Sequence, residues 1–173
     1  MYNICNDIDE HATKPATIAL SLLQSPVSLL SWYVEKYHEW CDTGANDDIE
    51  NVFTKDDIID WTMLYWCTDT VYSSIRLYYE QFNQSKSIFT YMNELYIDVP
   101  TAISQFPREA YRVPQKWLQY YMNIKQFKIH TSGGHWASFE QPELYADDLY
   151  QFVTQHTELG QYMMNQQSIH HEL

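Results

Sequence analysis

Lys125-Gln-Phe-Lys-Ile-His130, then Thr131-Ser-Gly-Gly-His135, then Pro142-Glu143 is the stretch on which the reading of this chain turns. Its first six residues alternate apolar and polar, the pattern of a strand with one buried face. Residues 131–135 hold two adjacent glycines and read as a loop. Pro142 then opens an amphipathic helix through Leu144, Leu149, Phe152 and Val153. Strand, glycine loop and helix in that order place His135 just past the carboxyl end of a strand, where open α/β sheets hold their ligands.

Upstream, Leu95-Tyr-Ile-Asp-Val-Pro-Thr-Ala-Ile103 is short and rich in β-formers, ends near Pro107, and reads as another strand. Pro114 opens a helix with Trp117, Leu118 and Tyr121 on one side. From residue 95 the order is therefore strand, helix, strand, helix, which implies a right-handed parallel unit. Two parallel strands are not a stable sheet unaided, because parallel sheets normally have both faces covered.

The first half reads as helical. Ser25-Pro26 is a helix start, with Leu23, Val27, Leu30, Val34, Tyr37 and Cys41 recurring at three- and four-residue steps, so a helix is expected over about 26–41. Residues 42–52 are acidic, contain Gly44 and read as a solvated loop. Thr54-Lys-Asp-Asp57 is a second helix start, with two acids at the positive end of the helix dipole. The run 58–82 is apolar on nearly every side, which predicts burial or a position facing a pocket. Residues 83–87 and the tail 158–173 are polar. The residues ahead of Leu23 look irregular, and Thr13-Lys-Pro15 breaks any helix through them.

Composition narrows the function classes. The 173 residues suit one domain of ordinary size, and 23 acidic against 10 basic residues give a formal charge of -13. That field repels phosphate backbones and anionic lipid, which argues against nucleic-acid or membrane-surface partners. Four glycines exclude collagen-like and linker-rich classes. Cys5, Cys41 and Cys67 form no CxxC pair, which disfavours a disulfide framework or a cysteine zinc site and fits a reducing compartment. No stretch of 18 apolar residues is present, so no spanning helix is expected. Residues 1–10 carry three acids and no base, unlike a secretory or transit peptide. Tyrosines (15) outnumber phenylalanines (7), and two readings stand: core residues with wet tips, or a pocket of phenolic donors.

His135 is a candidate general base. An imidazole in that role needs a carboxylate to fix its tautomer. Asp98 lies within the strand, well before its carboxyl end, whereas Glu109 in Phe106-Pro-Arg-Glu109 lies just past it and is favoured over a surface pairing with Arg108. His130 and His135 are poorly spaced to share a metal. His170-His171-Glu172 reads as a frayed polar tail rather than a metal site.

Several blocks resemble the microsomal-type epoxide hydrolases. They are Ala12-Thr-Lys-Pro-Ala-Thr17, Ser25-Pro-Val-Ser-Leu-Leu-Ser-Trp-Tyr-Val-Glu-Lys36, Lys55-Asp-Asp-Ile-Ile, Leu64-Tyr-Trp66, Ser73-Ser-Ile-Arg-Leu-Tyr78, Val99-Pro-Thr101, Phe106-Pro-Arg-Glu109 and Gly133-Gly-His-Trp-Ala-Ser-Phe-Glu-Gln-Pro-Glu-Leu144. They follow the family's order over residues 12–153. The resemblance implies the C-terminal part of an α/β-hydrolase fold: a mostly helical lid (1–94), the last two parallel strands with their helices (95–157) and a polar tail (158–173). It implies hydrolysis of a lipophilic epoxide to a vicinal diol through an aspartyl ester, without metal or cofactor. His135 matches the water-activating histidine, Glu109 the acid that orients it, and Tyr78 a donor to the epoxide oxygen, while Glu140 stands nearby as a supporting acid. Tyr79, beside Tyr78, fills a position that is not usually tyrosine. The place of the second lid tyrosine holds Asp7, with Tyr2 the nearest alternative, and the first eleven residues match none of the blocks. The family's Gly-Gly-Asp nucleophile elbow has no counterpart in this chain, and no Gly-x-Ser-x-Gly elbow replaces it. Two expectations follow. One is the C-terminal half of a hydrolase, cytoplasmic or associated with the endoplasmic reticulum, that self-associates through exposed core surface. The other is a catalytically inactive short relative that acts as a binding module.

Overall fold

Ser25 caps its helix as the sequence predicts: its hydroxyl accepts from the Val27 amide at 3.1 Å, and Pro26 occupies the first turn. The computed structural model describes residues 3–83, 95–158, 160 and 162. Tyr2, residues 84–87 of the polar run, most of the tail and the His170-His171-Glu172 cluster lie outside the described residues. The chain divides into two units, Met1–Glu94 and Leu95–Leu173.

The first unit is helical: α1 (Asn3–Thr13), α2 (Pro15–Leu22), α3 (Pro26–Trp40), α4 (Lys55–Cys67) and α5 (Val71–Phe82). The residues ahead of Leu23 are thus two helices and not irregular chain. The break falls at Lys14, because Pro15 disfavours helical geometry in the residue before it. Helices α1 and α2 pack on α5, and α3 packs on α4. Ala19, Leu22, Leu29, Val71 and Ile75 form the core. Phe53, fully buried, packs edge-on against Trp61 and tilted against Tyr37. Burying such a ring contributes roughly 2–3 kcal/mol.

Two expectations are corrected here. The buried stripe of α3 is not the one through Val27 and Val34, which are 65% and 36% exposed; Leu29 and Lys36 are buried instead. Residues 29, 33 and 36 also recur at helical spacing, and that stripe carries Tyr33. The Lys36 ammonium lies 4.6 Å over the Trp32 ring and bonds Glu35, so its stem is covered while its charge stays paired. The run 58–82 is two helices, broken at Thr68-Asp-Thr70 where Asp69 takes φ +55°, a left-handed conformation that aspartate tolerates better than most residues. Each buries only one stripe, Ile58 and Thr62 in α4, Val71 and Ile75 in α5, leaving Leu64 and Leu77 exposed. The start of α4 follows the sequence: Thr54 and Asp57 form a reciprocal capping box. Residues 42–52 are a loop with one short turn, Ile49–Asn51.

The second unit contains β1 (Ile97–Gln105), α6 (Gln115–Leu118), β2 (Met122–Ile129), α7 (Ala137–Glu140) and α8 (Pro142–His156). The strands pair in parallel, with Ser104 opposite Lys128 and Gln105 opposite Ile129. The first strand begins two residues later than expected and ends, as expected, near Pro107, and the second begins three residues earlier. Pro100, which has no N–H to give a ladder, lies within the register irregularity between Ile97 and Thr101. The helix expected from Pro114 is a single turn, with Trp117 66% exposed. Helix α8 packs on both strands, yet it buries Asp148 while Leu149 stays exposed. Among the described residues no single helix is long and apolar enough to cross a membrane.

Candidate active site

Adjacent parallel strands send their carboxyl ends the same way, so the loops after β1 and β2 emerge side by side. The first carries Glu109 and the second His135, and the His135 Nδ1 lies 2.7 Å from Glu109 Oε1. Both side chains are partly exposed. The loops are tied together: the Arg108 amide donates to Gly133 O, and the Glu109 amide turns back onto Phe106 O, each at 3.2 Å. Glu109 Oε1 also accepts from the Ala110 amide at 2.7 Å, which fixes the carboxylate. Gly133 has φ +99°, open to glycine and strained for other residues. After His135 the chain enters α7, whose first turn is closed by Glu140 Oε1 accepting from the Trp136 amide at 2.9 Å. Glu140 therefore shapes the chain that leaves His135. Asp98 lies in the exposed first part of β1, where its carbonyl accepts from Asn123 Nδ2. A cleft of about 390 Å³ beside the pair is lined by Glu109, His135, Ser104, Gln126, Tyr145 and Asp148 among others.

A carboxylate accepts and cannot donate, so the 2.7 Å contact puts the His135 proton on Nδ1 and the basic lone pair on Nε2. That tautomer suits removal of a proton from water.

Sequence reasoning missed a buried cluster behind this pair. Asp148 on α8 accepts from Ser104 Oγ and from Lys128 Nζ, and pairs with His130 Nε2 at 2.7 Å. Its backbone carbonyl accepts from Gln126 Nε2. Burial pushes the Asp148 carboxyl up, but hydrogen bonds from Lys128, Ser104 and His130 outweigh it and hold the group below its ordinary value. The available signal is strand alternation. Gln126, Lys128 and His130 share one face of β2, and three such groups in a row require a polar partner above them. A folded pKa below the unfolded one means the stabilisation is complete above about pH 4 and is lost as pH falls through the folded value. Asp148→Asn should cost about 3 kcal/mol at pH 7, as loss of a buried charged partner does. In urea melts the gap from wild type should narrow below about pH 4; a gap unchanged at pH 3 would contradict this.

Tyr78 belongs to the first unit. It projects from α5 into a cleft of about 250 Å³ lined also by Leu22, Leu29, Trp32, Tyr33 and Tyr65, and its ring lies 5.1 Å from that of His11. The Tyr33 hydroxyl is pushed up by burial and then by repulsion from the neighbouring phenols Tyr65, Tyr37 and Tyr78, so it stays a neutral donor. Tyr37 is pushed up to about 12, mainly by burial. Tyr79, the neighbour on α5, is exposed. Asp7 lies on α1. Among the described residues no group of three or more metal-ligating side chains occurs.

No protein-family model matches the chain. Among curated proteins it is 36% identical over 148 residues to Epoxide hydrolase 1 of Oryctolagus cuniculus, covering 82% of this chain and 32% of that protein. It is 36% identical over 143 residues to the juvenile hormone epoxide hydrolase of Bombyx mori, with shares of 80% and 31%. The chain spans about a third of the length of these curated relatives. The crystal structure of the Bombyx mori enzyme matches it with a TM-score of 0.77 at 30% identity, over 85% of this chain and 36% of that one. The Aspergillus niger epoxide hydrolase gives 0.70 at 34% identity, over 87% and 35%.

Proposed function

We propose that this chain, which matches the C-terminal part of epoxide hydrolases of the α/β-hydrolase fold, carries the water-activating half of an epoxide-hydrolase site. The observation behind the reading is the His135–Glu109 pair, 2.7 Å apart on loops that leave two adjacent parallel strands. Residues 1–94 serve as the lid and 95–157 as the last units of the hydrolase core.

In this mechanism the substrate first becomes an ester of a carboxylate nucleophile. Tyr78 donates a hydrogen bond to the epoxide oxygen as the ring opens and charge develops on it, as an oxyanion-hole donor does. His135 Nε2 then takes a proton from water while the water oxygen bonds to the ester carbonyl carbon, and Glu109 stabilises the imidazolium. The tetrahedral adduct collapses, the carbon–oxygen bond to the diol breaks, and the departing alkoxide recovers the proton from His135. The carboxylic acid left behind gives its proton to the oxygen freed by ring opening, which restores the carboxylate and completes the diol. No metal enters. The chain has no Gly-Gly-Asp elbow, so the nucleophile comes from polypeptide beyond these 173 residues. The substrate is a lipophilic epoxide, and the setting is the cytoplasm or the endoplasmic-reticulum surface.

The test is diol release from an aryl epoxide by this chain, alone and mixed with the separately expressed N-terminal part of a relative. Release only from the mixture supports the reading, and no release from a mixture of folded partners contradicts it. Tyr78→Phe should lower the mixed activity about a hundredfold, the usual effect of losing one oxyanion donor, while the chain's helicity by circular dichroism stays unchanged.

A second reading is favoured by exposed apolar side chains around β1, with Leu95 62% and Val99 61% exposed. Such a patch marks an association surface. A catalytically inactive relative that binds through it would form a dimer or a complex and give no diol with any partner.

A further inference from the structure

The Asp148 carboxylate, 5% exposed, is 2.7 Å from His130 Nε2. The His130 ring stacks on Phe106, with centroids 4.6 Å apart and planes 15° from parallel. Phe106 is itself 3% exposed and presses on the loop that carries His135: a Cβ built on Gly133 would lie 2.8 Å from Phe106 Cδ1. Phe106 also begins the other loop, since its carbonyl takes the Glu109 amide. One residue thus touches both loops of the candidate catalytic pair, by its ring at Gly133 and by its backbone carbonyl at the Glu109 amide.

We infer that His130, held by Asp148 and stacked on Phe106, is a positioning residue that sets the orientation of His135 against Glu109. Neutralising Asp148 does not require His130, because Lys128 Nζ already lies 2.6 Å from Oδ1 and Ser104 donates to Oδ2. Stacking on Phe106 does not require a histidine either, since any flat ring would do it. What the imidazole adds is a bond at its edge that stops the stack from sliding or turning. The strand under His130 is anchored too, through its amide to Gln105 O at 2.8 Å. A ring clamped at edge and backbone fixes the face of Phe106, and Phe106 fixes Gly133 two residues before His135. Outer hydrogen bonds of this kind commonly set the orientation of a functional imidazole.

The inference rests on the reading of His135 as the base, but its test needs no turnover. Imidazole nitrogen NMR of the full chain reads the His135 tautomer directly. Wild type should show a predominantly Nδ1-protonated ring. His130→Phe keeps the stack and removes the bond to Asp148. It should leave the strand amide signals in place, shift His135 toward a mixture of tautomers and speed Nδ1–H exchange about tenfold, a coupling ordinary for residues in one packed network. Lys128→Met, which removes a different partner of Asp148, should lower the melting temperature and leave the His135 signals as in wild type. If His130→Phe does not fold, Asp148→Asn provides the same reading with a smaller shift. Unchanged His135 signals in the folded variant would overturn the inference. So would equal changes in His130→Phe and Lys128→Met, since these would follow stability alone. Diol release with an unresponsive His135 would discard the positioning role and keep the proposed function; a responsive His135 without diol from any mixture would do the reverse.

Discussion

His135→Ala should leave the complemented enzyme able to form its ester and unable to release it. Steady-state diol production should fall about a thousandfold, within the range that general-base catalysis supplies, and the nucleophile-bearing partner should gain the mass of the epoxide. The asymmetry is diagnostic because opening the ring needs the nucleophile and the phenol, whereas cleaving the ester needs an activated water. Mass spectrometry of the partner after mixing with substrate gives the answer. A variant that loses turnover without accumulating adduct would place His135 in binding or folding instead. Retained turnover would remove it from the chemistry. In the proposed mechanism Glu109 acts through His135, so the same experiment on Glu109→Gln should show partial accumulation.

Gly133→Ala should strongly destabilise the loop that carries His135. The residue has φ +99°, outside the small left-handed pocket that non-glycine residues tolerate. The added carbon would meet Phe106 Cδ1 at 2.8 Å and Gln141 Cγ at 2.9 Å. Gln141 can swing away, but Phe106 is buried and held by His130. Backbone strain and overpacking together should cost about 3–4 kcal/mol, read as a lower urea midpoint with little change in slope. Gly44, at φ +78° on an exposed loop, would meet its nearest heavy atom only at 3.7 Å, so alanine there should cost less. Equal losses at the two glycines would show that conformation alone matters and that the Phe106 contact contributes nothing.

The parts of the fold that were legible rest on short-range rules. Ser25-Pro26 and Thr54 announce their helices because capping needs only residues within one turn. The meeting of residues 109 and 135 follows from topology: parallel neighbours release their loops at the same edge. What stayed illegible depends on partners far along the chain. Val27 and Leu29 lie on different faces of one helix, and only packing against α4 and α5 decides which is buried. Asp148 reads in sequence as one more acid in an acidic chain. Its burial becomes visible only once Ser104, Lys128 and His130 are known to lie beneath it, since a single polar residue on a helix carries no sign of what it faces. The break at Asp69 is of the same kind, because aspartate in a left-handed turn leaves no mark on hydrophobic periodicity.

The parallel pairing of β1 with β2 also sets an order of events. Ile97 meets Met122 only after the chain between them has closed on itself, and such closure loses entropy before any contact repays it. The helices of the first unit close their own backbone bonds four residues apart and emerge first during synthesis, while the packing of α1 and α2 on α5 waits for the chain as far as Phe82. The ring of His135 and the carboxylate of Glu109 therefore come together only after that closure, once both strands are made and paired.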